Sequence, residues 1–466
     1  MTQIAILNGI YASGADVRTA LPRNMVPVPK SSGISEGYLR PAPGIVSFAT
    51  GLPGLDRGGI NWRGLCYRVM GNKLVQVDAD GGWRTLGDVG DGGPVSMDYS
   101  FDLLGISSGG RLLYWNGSTL TSVTDVDLGT VNDMIWVDGY FMTTDGEFLV
   151  VTELNDPYAV NPLKYGSAEA DPDPILAIKK IKTEVFAIGR YTIEAFQNVG
   201  GDNFPFQRIP GAQVQRGACG TKCCALFLES LVFVGSGRNE ATAVYIASGG
   251  ATQKISTREV DQILAGYTDE QLALVEVEVK VDQAHQHLLI HLEDQTLVFD
   301  GAASTVIQQP VWFTLTTSIV GNGTYRANHL VRCYGKWIVG DTTAFSIGVL
   351  SDDVSSHWGN VNGWDFGIQA IYNEGRGAIV NNIELVGLPG VAAFGDNPVI
   401  WTSYSVDGKS WSQEKPIQAG RFGETQKRLC WRRQGFMQLW RTQRFRGTSD
   451  SHLSFMRLDM TLEPLT

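Results

Sequence analysis

The sequence predicts a mainly β protein: an irregular β-propeller, an additional C-terminal β domain and a few short helices. Three observations carry that prediction. Charged residues make up 18% of the chain and glycine 55 of its 466 residues, while Val, Thr, Tyr, Trp and Phe are frequent and long helix-forming runs are missing, the balance of strands joined by tight turns. From about Gly64 to Leu350 a short β run, a Gly- or Asp-containing turn and a second β run recur without repeating letters. The starts of these units lie 31 to 62 residues apart, straddling the roughly 40 to 50 residues that a four-stranded blade needs.

The recurring units can be read in order. They are LCYRVMGNKLVQVD from Leu65, LLGISSGGRLLYWNG from Leu103, MIWVDGYFMTTDGEFLVV from Met134, EVFAIGRYTIEAF from Glu184, ALFLESLVFVGSGRNEATAVYIAS from Ala225, HLLIHLEDQTLVFDG from His287 and HLVRCYGKWIVGDTTAFSIGVL from His329. Seven hairpins give a propeller of six or seven blades; an array of sandwiches is the alternative. One helical interruption stands out in ISTREVDQILAGYTDEQLALVEV, where Ser256 with Glu259 and Thr268 with Gln271 each match a capping box. Val260, Ile263 and Leu264 then share a helical face.

The body spans 51–355. Residues 1–50 differ: Pro22, Pro27, Pro29, Pro41 and Pro43 argue against regular structure and for an extended arm that packs on the C-terminal domain or on a neighbour. In that arm Tyr38 and Leu39 are the anchors. Residues 356–466 form the C-terminal domain, and between Arg421 and Arg457 nine Lys or Arg face only Glu424 and Asp450.

Charge and cysteine usage narrow the function. A formal net charge of -11 disfavours general coating of nucleic acid, whose affinity rests on Lys and Arg displacing counterions. Six cysteines are few for this length and do not form a small-domain disulfide framework, which points to synthesis in a reducing compartment. MTQIAILNGIYASGAD has no basic n-region, and nowhere do eighteen apolar residues run together, so neither a signal peptide nor a membrane span is expected.

No compact catalytic motif survives inspection. GISSG, Gly105–Gly109, fits a nucleophile elbow, but the residues after it read as strand where a helix is required, so Ser107 belongs to a hairpin turn. Cys219, Cys223 and Cys224 offer three thiols without the second pair that structural zinc needs. His285, His287 and His291 can share one strand face and read first as packing residues, with metal ligation the minority reading. SVDGKSW, Ser405–Trp411, is one residue short of a sialidase Asp-box and occurs once, so Asp407 and Gly408 read as a turn. No cofactor, metal or catalytic residue is assigned.

The stretch KRLCWRRQGFMQLWRTQRFR, Lys427–Arg446, interleaves Arg and aromatic residues. Arg and Trp enrichment is the composition of interface hot spots, and Arg pairs in bidentate fashion with carboxylates, which this chain has in excess. Arg428, Trp431, Arg432, Arg433, Trp440, Arg441, Arg444 and Phe445 are therefore the interface candidates, ahead of a solvated strand face and of DNA contact.

Several stretches together resemble the packaged-DNA stabilisation proteins, also named tail hub or nozzle proteins, of short-tailed bacteriophages. They run from LPRNMVPVPK and GYLRPAPGI through GDVGDGGPVSM, GSAEADPDPILAIKKIKTEVFAIGRYTIEAFQNVGG, VQRGACGTKCC and ILAGYTDEQLA to YSVDGKSWS and the Arg-rich stretch. The middle blades and Val354–Asn397 match only loosely. The resemblance implies a structural virion protein made in the bacterial host cytoplasm. It further implies a homohexameric ring below the head-to-tail adaptor that continues the DNA channel without sequence-specific binding, retains packaged DNA, and mounts a plug or needle and tailspikes or fibres. A propeller hydrolase acting on glycans, or a carbohydrate-binding propeller, is the alternative.

Overall fold

The computed structural model describes residues 2–465 apart from 5, 8–9, 14–15, 20, 31–34, 155, 169–170, 202, 283 and 369. Seven antiparallel sheets follow one another along the chain. Their innermost strands are Asp56–Trp62, Ser96–Tyr99, Asp133–Val137, Ile175–Ile181, Cys224–Phe227, Glu276–Val281 and Ala327–Cys333. Each of these strands touches the next, and the seventh touches the first, so the sheets are the seven blades of a closed propeller. Each hairpin read from the sequence falls within one blade. The turn that the GISSG stretch predicts is present, with Gly109 and Gly110 at φ 56 and 76 between Leu104–Ser108 and Arg111–Trp115.

Blade 7 takes three strands from 327–351 and its fourth from the other end of the sequence: Gly44–Thr50 pairs antiparallel with Ser346–Ser351. Taking the outer strand of the last blade from the opposite end of the chain fastens the ring shut, leaving each blade only one short outer edge.

Apart from a separate two-stranded hairpin of Ile10–Ser13 and Asp16–Thr19, the remaining strands build a two-sheet sandwich. One sheet orders Met25–Pro29, Gly37–Pro41, Phe455–Pro464, Ala378–Gly387 and Leu429–Arg432, with Thr2–Ile4 also on Phe455–Pro464. The other orders Gly363–Gly367, Trp440–Thr448, Val399–Ser405 and Lys415–Gln418. Trp364, Phe366, Phe445 and Phe455 fill the space between them, with Met25 and Leu39 in the same buried cluster.

The Pro-rich segment is thus a correction to the sequence reading. Instead of an extended arm without regular structure it is a hairpin, in which Met25 to Pro29 pairs residue by residue with Pro41 back to Gly37, and it lies beside Phe455–Pro464 of the C-terminal domain. Prolines are tolerated because Met25–Pro29 is the sheet's edge, where a strand needs amide donors on one side only. Leu39, expected as an anchor, is fully buried in this sandwich and lies opposite Phe455. Tyr38 stays half-buried beneath Lys30, whose Nζ sits 5.3 Å from the ring centroid.

The stretch entering the hairpin stitches the two bodies together. Arg23 bridges backbone to backbone with Thr314 of blade 6 and Asp365 of the sandwich, and its guanidinium pairs with Asp365 at 2.7 Å. Asn24, at φ 53, donates to the carbonyls of Thr316 (2.9 Å) and Gly363 (2.7 Å) and accepts from the Thr316 amide at 3.0 Å. Asn is among the few residues that tolerate this left-handed conformation.

Of the two capping boxes, one forms. Thr268 and Gln271 cap Asp269–Ala273 reciprocally. The other helix, Arg258–Leu264, has Thr257 at its N-cap with no side-chain cap bond, because the Ser256 hydroxyl is taken by the Val244 amide (3.2 Å) and Asp261 (2.6 Å). Among the described residues no helix is long and apolar enough to cross a membrane.

Truncating Phe455 to Ala should remove ring contacts to Trp364 and Phe366 as well as the packing over Leu39. We expect unfolding free energy by urea titration to fall by about 3–5 kcal/mol.

Candidate interaction surfaces

Two regions concentrate charge: the propeller axis and the sandwich. The axis is reached from all seven innermost strands, whose side chains line a central chamber of about 420 Å³. Ion pairs cross it from blade to blade. Lys179 of blade 4 lies 3.1 Å from Asp133 of blade 3, and Lys180 reaches Asp98 of blade 2 at 2.9 Å. Lys222 of blade 5 donates to Ser96 Oγ at 2.6 Å and to the Val95 carbonyl at 2.8 Å; Ser96 in turn bonds Asp133.

On the opposite wall His329 of blade 7 sits 2.5 Å from Asp56 of blade 1 and 2.9 Å from Glu276 of blade 6. Burial opposes a charged imidazole there, but Asp56 and then Glu276 outweigh it and raise the His329 pKa to about 10. Asp56 also holds Arg68, at 2.6 Å and with both side chains fully buried. Burial disfavours ionised Asp133, yet Lys179 and Lys222 hold its carboxyl below the ordinary range. These pairs staple the blades to one another around and across the axis.

The sandwich carries the Arg-rich stretch, and its outcome divides. Trp431, Arg441 and Phe445, expected at an interface, are buried inside the chain's own sandwich; their inward alternation places them between the two sheets. Arg441 donates to the Gln434 carbonyl and to Gln443 Oε1, each at 2.8 Å, and lies 3.9 Å over the Tyr404 ring. Burial lowers its pKa to about 10.

Arg428 meets Glu384 on the facing strand. Arg444 and Arg446 share Glu414 and lie over Trp411 and Trp401. So part of the cluster answers to carboxylates of its own domain. Arg432 and Arg433 are exposed, and among the described residues neither side chain has an ion-pair partner. Trp440 is half-buried opposite exposed Tyr372. Leu439, which alternation would turn toward the core, is 50% exposed.

An exposed aromatic pair escaped the sequence reading. Phe394 and Phe422 are 93% and 65% exposed, with ring centroids 6.4 Å apart. Their signal is a large aromatic beside a turn glycine, Gly395 and Gly423 at φ 96 and 83, outside any alternating run.

The motifs set aside for chemistry fall as follows. Ser107 is buried and donates to the Val131 carbonyl at 3.1 Å. Cys219, Cys223 and Cys224 are buried free thiols, and burial raises the pKa of all three, that of Cys224 to about 11. Asp407 accepts from the Lys409 and Ser410 amides, both at 2.8 Å, and Gly408 takes φ 71, which makes a turn. His285 and His287 converge on Asp300, while His291 leaves them for Glu278 at 2.9 Å.

Residues 2–355 match the family described as the β-propeller of bacteriophage P22 Gp10, and residues 363–463 match its β-sandwich. The chain belongs to the P22 Gp10 family. Over 442 residues it is 28% identical to the tail hub protein gp10 of Salmonella phage P22, covering 90% of each chain. Membership in the Gp10 family supports a structural role in a phage tail hub and a place in the virion. Among solved structures, the Cps50 (Swd1) β-propeller domain of Myceliophteria thermophila is 11% identical and covers 66% of this chain and 99% of its own at TM-score 0.42. The Pan2 WD40 domain of Neurospora crassa is 10% identical and covers 67% and 95% at TM-score 0.42.

Two outcomes test the axial staples. Asp133→Ala leaves half-buried Lys179 and Lys222 short of a counter-ion and the Ile178 amide without its acceptor, and should cost about 1–3 kcal/mol by urea unfolding. His329 has a folded pKa raised above its ordinary 6.5, so its contribution is full below pH 6.5 and is lost as pH rises through about 10. Urea midpoints measured across that window should fall, and His329→Gln should flatten the decline.

Proposed function

We propose that this chain is the subunit of a homohexameric tail hub that continues the DNA channel below the head-to-tail adaptor and helps to retain packaged DNA. The hub also mounts a plug or needle and tailspikes or fibres. Family membership across both domains is the observation that carries this reading. The ion pairs that cross the propeller axis support it: DNA that traverses an assembly of such chains runs between subunits, along the bore of a ring.

Charge favours the same arrangement. The first 355 residues hold 25 Lys and Arg against 38 Asp and Glu, and the last 111 hold 12 against 10. The acidic propeller repels phosphate, so DNA slides past without lodging. The sandwich offers the complementary surface: Arg432 and Arg433 as unpaired cations, with Tyr38 and Trp440 half-buried and Phe394 and Phe422 protruding, for the acidic flank of a neighbouring subunit or of the adaptor. Charged rims of this kind govern encounter and register.

Native mass measured on the purified chain, alone and mixed with the adaptor ring, should show six copies joining the adaptor. Arg432→Glu with Arg433→Glu should lower that incorporation by about tenfold while leaving the fold intact by circular dichroism. A chain that ignores the adaptor and hydrolyses or binds glycans would reverse the assignment.

A further inference from the structure

Blade 6 contains a polar cluster that neither the axial staples nor the sandwich uses. His285 and His287 are two residues apart near the start of Gln286–His291, so their side chains share one face of the sheet. Asp300, at the end of Thr296–Asp300, lies directly across from His287 in the strand register. All three residues are buried, and one donor atom from each lies within 4.8 Å of the others. Their rings stack at 5.0 Å between centroids.

The distances suit ligation better than a finished hydrogen-bond network. His285 Nδ1 is 2.6 Å from Asp300 Oδ2. His287 Nε2 is 3.4 Å from the same oxygen, and this nitrogen has no hydrogen-bond partner although the residue is 5% exposed. A buried, unpaired ring nitrogen costs free energy that a ligand would recover. Two donors bound to one zinc at about 2.0–2.1 Å in a tetrahedron stand about 3.3 Å apart. The His287 spacing already meets this value, and the His285 ring needs a shift of less than about 1 Å.

We propose that His285 Nδ1, His287 Nε2 and Asp300 Oδ2 form a binding site for a divalent transition-metal cation of the zinc class. Two imidazoles and one carboxylate are a donor set that suits zinc, cobalt and nickel rather than calcium or magnesium. Asp300 keeps its other oxygen on the Ala302 and Ala303 amides at 3.0 and 3.2 Å, so the ligating oxygen is held in place from behind. Lys280, opposite His287 in the strand register, is the cation nearest in sequence pairing, and Asp282 neutralises it at 2.5 Å.

His285 also lines a cleft of about 750 Å³ shared with Arg40, Lys280, Asp282, Trp337 and Asp352, so one ligand of the site borders solvent-filled space. The cation would tie two strands of blade 6 to the start of Gly301–Ile307. That helix packs against Met25–Pro29, so the site would brace the sandwich hairpin from the propeller side.

Cobalt titration of the full-length chain provides the test, read by its visible ligand-field absorption and the near-ultraviolet thiolate band. The expected result is one Co²⁺ per chain with no thiolate band, displaced by Zn²⁺, and a higher melting temperature for the loaded protein. His287→Gln should weaken binding by at least about tenfold and abolish the melting shift, while its metal-free melt matches the parent's. His285→Gln serves as the second variant should that melt be lowered. Absence of binding, binding unchanged in either variant, or a thiolate band marking Cys219, Cys223 and Cys224 as the site would each overturn the proposal. The test reads metal on the isolated chain and is independent of hub assembly.

Discussion

Antiparallel pairing between Gly44–Thr50 and Ser346–Ser351 is the constraint on which both bodies depend. It closes the seventh blade with residues from the far end of the sequence, and only Ala42 and Pro43 separate that strand from the sandwich hairpin. The same short segment therefore belongs to two sheets in two domains. Arg23 and Asn24 complete the tie by bonding blade 6 and the sandwich at once. With so little free chain and so many buried bonds at the junction, the propeller and sandwich move as one body rather than as beads on a linker.

Inside the propeller, electrostatics take over from hydrogen-bonded strands at the one place where strands cannot reach. Seven blades leave an axial space that apolar side chains alone do not fill, and the sequence spends Lys179, Lys180, Lys222 and His329 on bridging it. Buried ion pairs add little net stability compared with apolar packing. Their value is geometric, since each bridge fixes the distance between blades that lie in separate sheets. The sandwich uses arginine differently, laying Arg441, Arg444 and Arg446 across Tyr404, Trp411 and Trp401, so cation and aromatic ring stabilise each other, in the core at Arg441 and nearer the surface at Arg444 and Arg446.

Much of the propeller could be read from the sequence because its information is local. A turn glycine or aspartate between two β runs marks a hairpin wherever it occurs, as at Gly109–Gly110, and a Thr-x-x-Gln cap needs four residues. The closing strand and the Met25–Pro41 hairpin were hidden because their partners, Ser346–Ser351 and Phe455, lie far along the chain and their prolines mimic disorder. Pro27 and Pro29 break a central strand but not an edge one, and nothing local says which is meant. Alternation placed Trp431 and Phe445 correctly as strand residues, yet only the packing of two sheets shows that they and Arg441 face inward. The aromatic pair Phe394 and Phe422 was illegible for the opposite reason: two distant loops bring it together, outside any periodic run.

The late closing strand also sets a timetable for the chain as it leaves the ribosome. Blades 1 to 6 can form as they emerge, but Gly44–Thr50 stays unpaired until residue 351 has been made, and the Met25–Pro41 hairpin waits longer for Phe455–Pro464. Contacts of such sequence separation slow folding, and a waiting strand with open amides invites pairing with another nascent chain. Pro27 and Pro29, which withhold amides from the edge strand, and Pro43 just ahead of Gly44 leave fewer donors for that mispairing during the wait.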